Sequence, residues 1–138
     1  MMNEQSFIIY HLPFLILSMA YLLVFIGGGI GSVCRLGLSF WLAGWRQAFP
    51  WATFLANVLA CFVLGVLVGL NLKHKLTPSI GVLLMSGFCG GFSTFSTFSN
   101  ETFQMLAAGA WGKAAGYIFL SILLCLGSLV LGMKAVAA

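Results

Sequence analysis

Gly87-Phe88-Cys89-Gly90-Gly91-Phe92-Ser93-Thr94-Phe95-Ser96-Thr97-Phe98-Ser99-Asn100-Glu101 decides how this chain is read. It lies inside a stretch otherwise apolar enough to cross a membrane, yet it is poor material for a plain lipid-facing helix. Glycine loses backbone entropy in a helix interior, and Ser and Thr compete there for backbone hydrogen bonds. In the triplets Ser93-Thr94-Phe95 and Ser96-Thr97-Phe98 the two rings fall three apart, on one face of a helix. Irregular backbone survives in hydrocarbon only where protein buries it or where it lines a watery cavity. The segment is therefore expected to face an ion or a pore, with the helix broken near Gly90-Gly91.

Composition sets the class. The chain has 138 residues, 62% of them hydrophobic and 6% charged, with a mean hydropathy of +1.12. Soluble domains are about one quarter charged, and no water-soluble surface can be assembled from six basic and two acidic side chains. At roughly 20 residues per crossing, the length allows four membrane helices and no separate domain. The net charge of +4 comes from short basic loops rather than a basic patch, which excludes a nucleic-acid role. No nucleophile–base pair or metal cluster suggests an enzyme. Cys34, Cys61, Cys89 and Cys125 show no CxxC spacing and are read as small core residues.

Outward from the central stretch, the expected spans are 17–42, 51–70, 79–107 and 114–136. Residues 1–16 are read as an N-terminal extension, with no basic segment or cleavage site to suggest a signal peptide. In the first span Gly27, Gly31 and Arg35 are four apart, so a close-packing glycine face leads to a cation. An arginine at that depth is expected to face protein or water, the alternative being a side chain that snorkels to the interface. In the second span Asn57, Cys61, Gly65 and Gly69 share one face beside the row Ala52, Ala56, Ala60. Asn57 needs partners so deep in a membrane, either as interhelical glue or as a donor on an ion pathway. Tyr117, Ser121, Cys125, Ser128 and Gly132 form a polar stripe along the fourth span.

Loop charges are balanced. Lys73, Lys75 and Lys134 lie at one side, Arg46 and Lys113 at the other, with Arg35 in the half of span one nearer that second side. The positive-inside rule has almost nothing to act on, so insertion in both orientations and pairing as an antiparallel dimer are expected.

Together these residues resemble the Fluc/CrcB family of small fluoride channels. Gly27-Gly28-Gly29-Ile30-Gly31-Ser32-Val33-Cys34-Arg35 is similar to its GGxxGxxxR signature, and Thr53-Phe54-Leu55-Ala56-Asn57 to its TxxxN segment. Gly90-Gly91-Phe92-Ser93-Thr94-Phe95-Ser96-Thr97-Phe98 is similar to its GGxTTFSTF core, with Glu101 and the Tyr117/Ser121 pair following. Ala52 and Ala60 depart from the usual glycines and Ser93 from the usual threonine, and the extension lies outside the match.

The resemblance implies an antiparallel dual-topology homodimer in a bacterial inner membrane, with two pores and a structural sodium ion at the dimer centre. By position, Gly90 and Ser93 would supply main-chain carbonyls to Na+. Phe95 and Phe98 would line the fluoride path, with Asn57, Tyr117 and Ser121 as polar contacts. Arg35, Thr53, Thr97 and Glu101 are carried over as further functional or structural positions. A proton-coupled small multidrug exporter, also a four-span dual-topology dimer, is the alternative. Its mechanism wants an embedded carboxylate, for which Glu101 is the one candidate, and Arg35 does not suit a cationic substrate.

Overall fold

Each apolar stretch becomes a helix because, without water, only an internally hydrogen-bonded backbone is tolerated. The computed structural model describes residues 4–45 and 49–136, and of residues 4–16 and 45 the backbone alone. Helix α1 (Glu4–Trp41) contains the first candidate span, Leu17–Trp41, and its backbone continues unbroken through residues 4–16. A 3-10 turn, Ala43–Trp45, follows, and then α2 (Trp51–Leu72). Met1 to Asn3 of the extension, and the loop cation Arg46, lie outside the described residues.

The third crossing, Pro78–Ala107, is composite. It comprises α3 (Pro78–Gly81), a π-wound stretch (Val82–Cys89), one turn of α4 (Gly90–Phe92) and, after two extended residues, α5 (Phe95–Ala107). It is the least apolar of the four crossings, because glycines and hydroxyl residues run through its middle. Helix α6 (Trp111–Ala135) completes four crossings. Helix α2 runs two residues past the expected end, and the fourth span opens at Trp111 rather than at Ala114. The turn before α3 uses His74 at φ 54°, and Thr77 caps α3 by accepting from the Ile80 amide, with Pro78 at its first position.

The break does not fall at Gly90-Gly91. Gly90 is right-handed helical at φ −64°, ψ −38°. The chain leaves the helix at Ser93 (φ −75°, ψ 159°) and Thr94 (φ −152°, ψ 113°). Gly91 serves close approach to α1 instead, while a Cβ on Gly90 would meet nothing within 4 Å. A Cβ on Gly91 would run into the Gly28 carbonyl, one on Gly27 into that of Leu83, and one on Gly31 into that of Phe88. The hydroxyl residues make the break. Ser93 Oγ donates to the Cys89 carbonyl (2.9 Å), and Thr94 Oγ1 accepts from the Thr97 amide (3.2 Å), starting α5.

The bundle is thus two intimate pairs. Helix α1 lies on residues 82–92, and α2 lies on α6, where Gly65 meets the Leu129 backbone and Gly132 the Phe62 backbone. Ser128 Oγ adds a hydrogen bond to the Val58 carbonyl (2.9 Å). Between the pairs sits a small core of Ala56, Ala60 and Phe92, with Leu38 and Phe88 against it. The expected alanine row is its floor. Lipid tails are as apolar as leucine, so association rests on dispersion at such close contacts rather than on exclusion of water.

Adding one methyl at Gly31 should therefore destabilise the bundle by about 1–3 kcal/mol, because the atom it strikes is backbone. The same change at Gly29, where a Cβ meets nothing within 4 Å, should be neutral or slightly stabilising. Thermal unfolding of Gly31→Ala and Gly29→Ala in detergent checks this; equal melting would refute the glycine-contact account.

Candidate functional site

An extended dipeptide in mid-membrane must have its amides and carbonyls satisfied, and α2 supplies the partner. The Asn57 side chain grips the Thr94 backbone at both ends. Its Oδ1 accepts from the Thr94 amide at 2.7 Å, and its Nδ2 donates to the Thr94 carbonyl at 3.3 Å. Of the two readings open for Asn57, interhelical glue is the one its contacts show. Thr94 Oγ1 is also shared with Thr97 Oγ1 (2.9 Å) and Ser96 Oγ (3.2 Å), so the start of α5 is cross-tied.

These bonds have a second effect. In a continuous helix the Thr94 amide would bond the Gly90 carbonyl, and the Thr97 amide that of Ser93. Asn57 takes the first amide and the Thr94 hydroxyl takes the second. The Gly90 and Ser93 carbonyls are the two whose helical partners have been diverted by side chains. Of the two carbonyls between them in sequence, that of Gly91 is treated differently. Gly91 O accepts from Arg35 Nε (3.2 Å) and Ser32 Oγ (3.4 Å). Arg35 therefore faces protein, as expected, and sets its positive charge at the negative C-terminal end of the first half-helix. Carbonyl oxygens without donors are suitable ligands for a hard cation, and Gly90 is exposed at the chain's surface.

Two cavities flank the start of α5. The inner one, about 240 Å³, is lined by Asn57, Ser93, Phe95, Phe98 and Ser121 among others. The outer one, about 470 Å³, is lined by Thr97, Asn100, Glu101, Gln104 and Lys113, with Phe49 and Pro50. Thr97 and Glu101 face one and Phe98 the other, so the first turns of α5 form the partition. Phe95 and Phe98 sit 5.8 Å apart between ring centroids, and Phe98 and Tyr117 5.0 Å apart at 51°. Phe95 is 79% exposed on the single chain, whereas Tyr117 is 1% exposed.

Glu101 is held by two hydroxyls, Thr53 Oγ1 on Oε1 and Tyr117 OH on Oε2, each at 2.8 Å. A carboxylate is an acceptor only, so both donors are committed to it. Ser121 Oγ is buried with no hydrogen-bond partner among the described residues.

Of the residues picked from sequence, Asn57, Ser93, Phe95, Phe98 and Ser121 share the inner cavity, Thr97 and Glu101 the outer one, and Tyr117 joins Phe98 to Glu101. Thr53 acts through Glu101, and Arg35 lies on the opposite side of the break, on α1. Sequence reading missed Asn100, Gln104 and Lys113. Their signal was present in part, since Thr97, Asn100, Glu101 and Gln104 make one polar face at helical spacing.

A family model described as CrcB-like protein, Camphor Resistance (CrcB), matches residues 22–133. A protein of Azobacteroides pseudotrichonymphae named fluoride-specific ion channel FluC is 45% identical over 112 residues, covering 80% of this chain and 90% of its own. Proteins of the same name from Phocaeicola vulgatus and Leptospira interrogans are 42% and 46% identical, over 81% and 76% of this chain and 93% and 84% of theirs. With four membrane-crossing helices and relatives of this closeness, the chain is an integral protein of the bacterial plasma membrane and belongs to the CrcB family.

Proposed function

We propose that this chain is a fluoride-selective channel through which cytoplasmic fluoride leaves passively, giving resistance to it. One observation carries the reading. The residues picked as an anion path, Asn57, Phe95, Phe98 and Ser121, converge on one cavity beside the helix break. The relatives' shared name, fluoride-specific ion channel, points to the same substrate. The proton-coupled multidrug alternative finds no support among them, and Glu101, its one candidate, has both carboxylate oxygens engaged by hydroxyls.

The path runs from the outer cavity, where Lys113 draws an anion and Asn100 and Gln104 offer amide donors. The Glu101 charge repels anions, and the Thr53 and Tyr117 hydroxyls disperse it. Past the partition, fluoride meets the positive edges of Phe95 and Phe98. The unpartnered Ser121 hydroxyl turns toward it, and Asn57 Nδ2, whose bond to Thr94 O is long at 3.3 Å, shares a donor. Ring edges replace part of the hydration shell without gripping the ion, so that entry and release both remain possible. A membrane potential contributes about 2.3 kcal/mol per charge per 100 mV, which suffices to expel an anion from a negative interior.

Two chains pair antiparallel in this reading. The balanced loop charges permit both insertions, and the exposed Phe95 and Gly90 on the single chain suit a face covered by a second copy. The diverted carbonyls of Gly90 and Ser93 from both copies would then hold Na+, which supplies fixed positive charge at the centre of the dimer. Thr94 and Asn57 keep those carbonyls turned out of the helix ladder.

Purified protein in proteoliposomes should release fluoride under voltage and retain chloride. A proton gradient at zero voltage, with fluoride equal on both sides, should drive no net flux. Equal release of both halides, or uphill movement with the proton gradient, would refute the proposal. Phe95→Ile and Phe98→Ile keep apolar bulk but remove the ring edge. Each should slow flux by about tenfold or more, a barrier increase of at least about 1.4 kcal/mol, in a protein that still elutes as folded; unchanged flux would make the rings packing residues. Lys73→Cys should label from both membrane sides in two populations, and labelling from one side alone in an active protein rules out dual topology.

A further inference from the structure

Two thiols that play no part in the fluoride path face the same cavity. Cys61 on α2 and Cys125 on α6 both line the inner space of about 240 Å³. Their meeting is built into the helix register. Cys61, Gly65 and Gly69 follow one another at four-residue steps on α2, as do Cys125, Leu129 and Met133 on α6. One turn beyond the cysteines, a Cβ on Gly65 would lie 3.1 Å from Leu129 Cα, and two turns beyond, one on Gly69 would lie 3.4 Å from Met133 Cα. Backbone touching backbone there leaves the two helices little freedom to slide, and so sets the two cysteines at the same level of the pair, on one cavity wall. One turn before them stand Asn57 and Ser121, the latter with its buried hydroxyl unpartnered among the described residues.

We propose that Cys61 and Cys125 form a two-thiolate site for a soft d10 cation such as Ag(I), Cu(I) or Hg(II), open to the inner cavity. Soft thiolates select such ions, whereas structural zinc takes four ligands. Among the described residues no group of three or more His, Cys, Asp or Glu is placed to hold a metal, so the pair stands as a two-coordinate site. Binding breaks two S–H bonds and forms two S–metal bonds, with both protons released to solvent and no change of oxidation state. A bound ion would bridge α2 to α6 and occupy the space beside Asn57 and Ser121, closing the path. That last consequence rests on the channel reading; the binding does not.

Silver nitrate added to the purified full chain in chloride-free detergent buffer tests the site directly. The expected result is one silver ion bound per chain, release of two protons, and joint protection of Cys61 and Cys125 from maleimide, read residue by residue by mass spectrometry. Cys61→Ser and Cys125→Ser, or the alanine variants should serine not fold, should each abolish protection of the remaining thiol, and Cys34→Ser should leave both protected. Silver that protects neither thiol in the unaltered protein, or protects one equally well without the other, overturns the site. In proteoliposomes, one silver ion per chain should stop fluoride release by the unaltered protein and not by Cys61→Ser. Binding without that block overturns the claim that the site closes the path. No fluoride release even before silver counts against the channel reading alone, and the protection data then decide the site.

Discussion

The clamp of Asn57 on Thr94 is the interaction on which the rest depends. Two backbone groups in the middle of a membrane have left the helix ladder, and each would cost several kcal/mol if unpaired. One carboxamide satisfies both, at 2.7 and 3.3 Å. By holding the Thr94 amide it also withholds that amide from Gly90. A single side chain on α2 thus permits the break, aims the start of α5, and leaves a main-chain oxygen without its donor. No charged residue is needed for any of these, which matters where charge is costly to bury.

What surrounds the clamp is backbone more than side chain. The glycines of α1 press on residues 83–92, and those of α2 and α6 on the facing backbone of each other's helix. Such contacts are short and unyielding, so the break is held from both sides by helices that cannot drift. Arg35 belongs to this frame. Its Nε bond to the Gly91 carbonyl ties the glycine face of α1 to the end of the first half-helix. The polar groups that an ion would meet are then positioned by packing remote from them.

Much of this was legible in the chain. Hydropathy gives the four crossings, the last three with both ends within three residues of the helices found, because a helix in lipid has no competing solution. The spacing of Gly27, Gly31 and Arg35 gave the packed face of α1, and the isolated Asn57 marked where a membrane helix had need of partners. The break was legible to within three residues, near Gly90-Gly91, but the residues that make it were not. Glycine breaks helices in water and packs them in membranes, and Gly91, read as the first, is the second. The hydroxyls two and three residues later do the breaking, through bonds to Cys89, Asn57 and Thr97 that depend on what α2 brings near. Lys113 and Gln104 escaped for a similar reason, since only tertiary structure places the first turn of α6 against the polar face of α5.

The π-wound stretch Val82–Cys89 has a bearing on how such a chain changes length over generations. Its wider ladder holds more residues per turn than an α-helix and is most often found as a local insertion. Adding or removing a residue in an α-helix swings everything beyond it by about 100°, which here would turn Gly91 away from Gly28. Upstream of Gly87 the third crossing has an alternative. A gained or lost residue can be taken up as looser or tighter winding, and the angular setting of Ser93 and Thr94 is preserved. The loosely wound stretch is thus the part of the third crossing in which length can vary while Gly91 stays against Gly28.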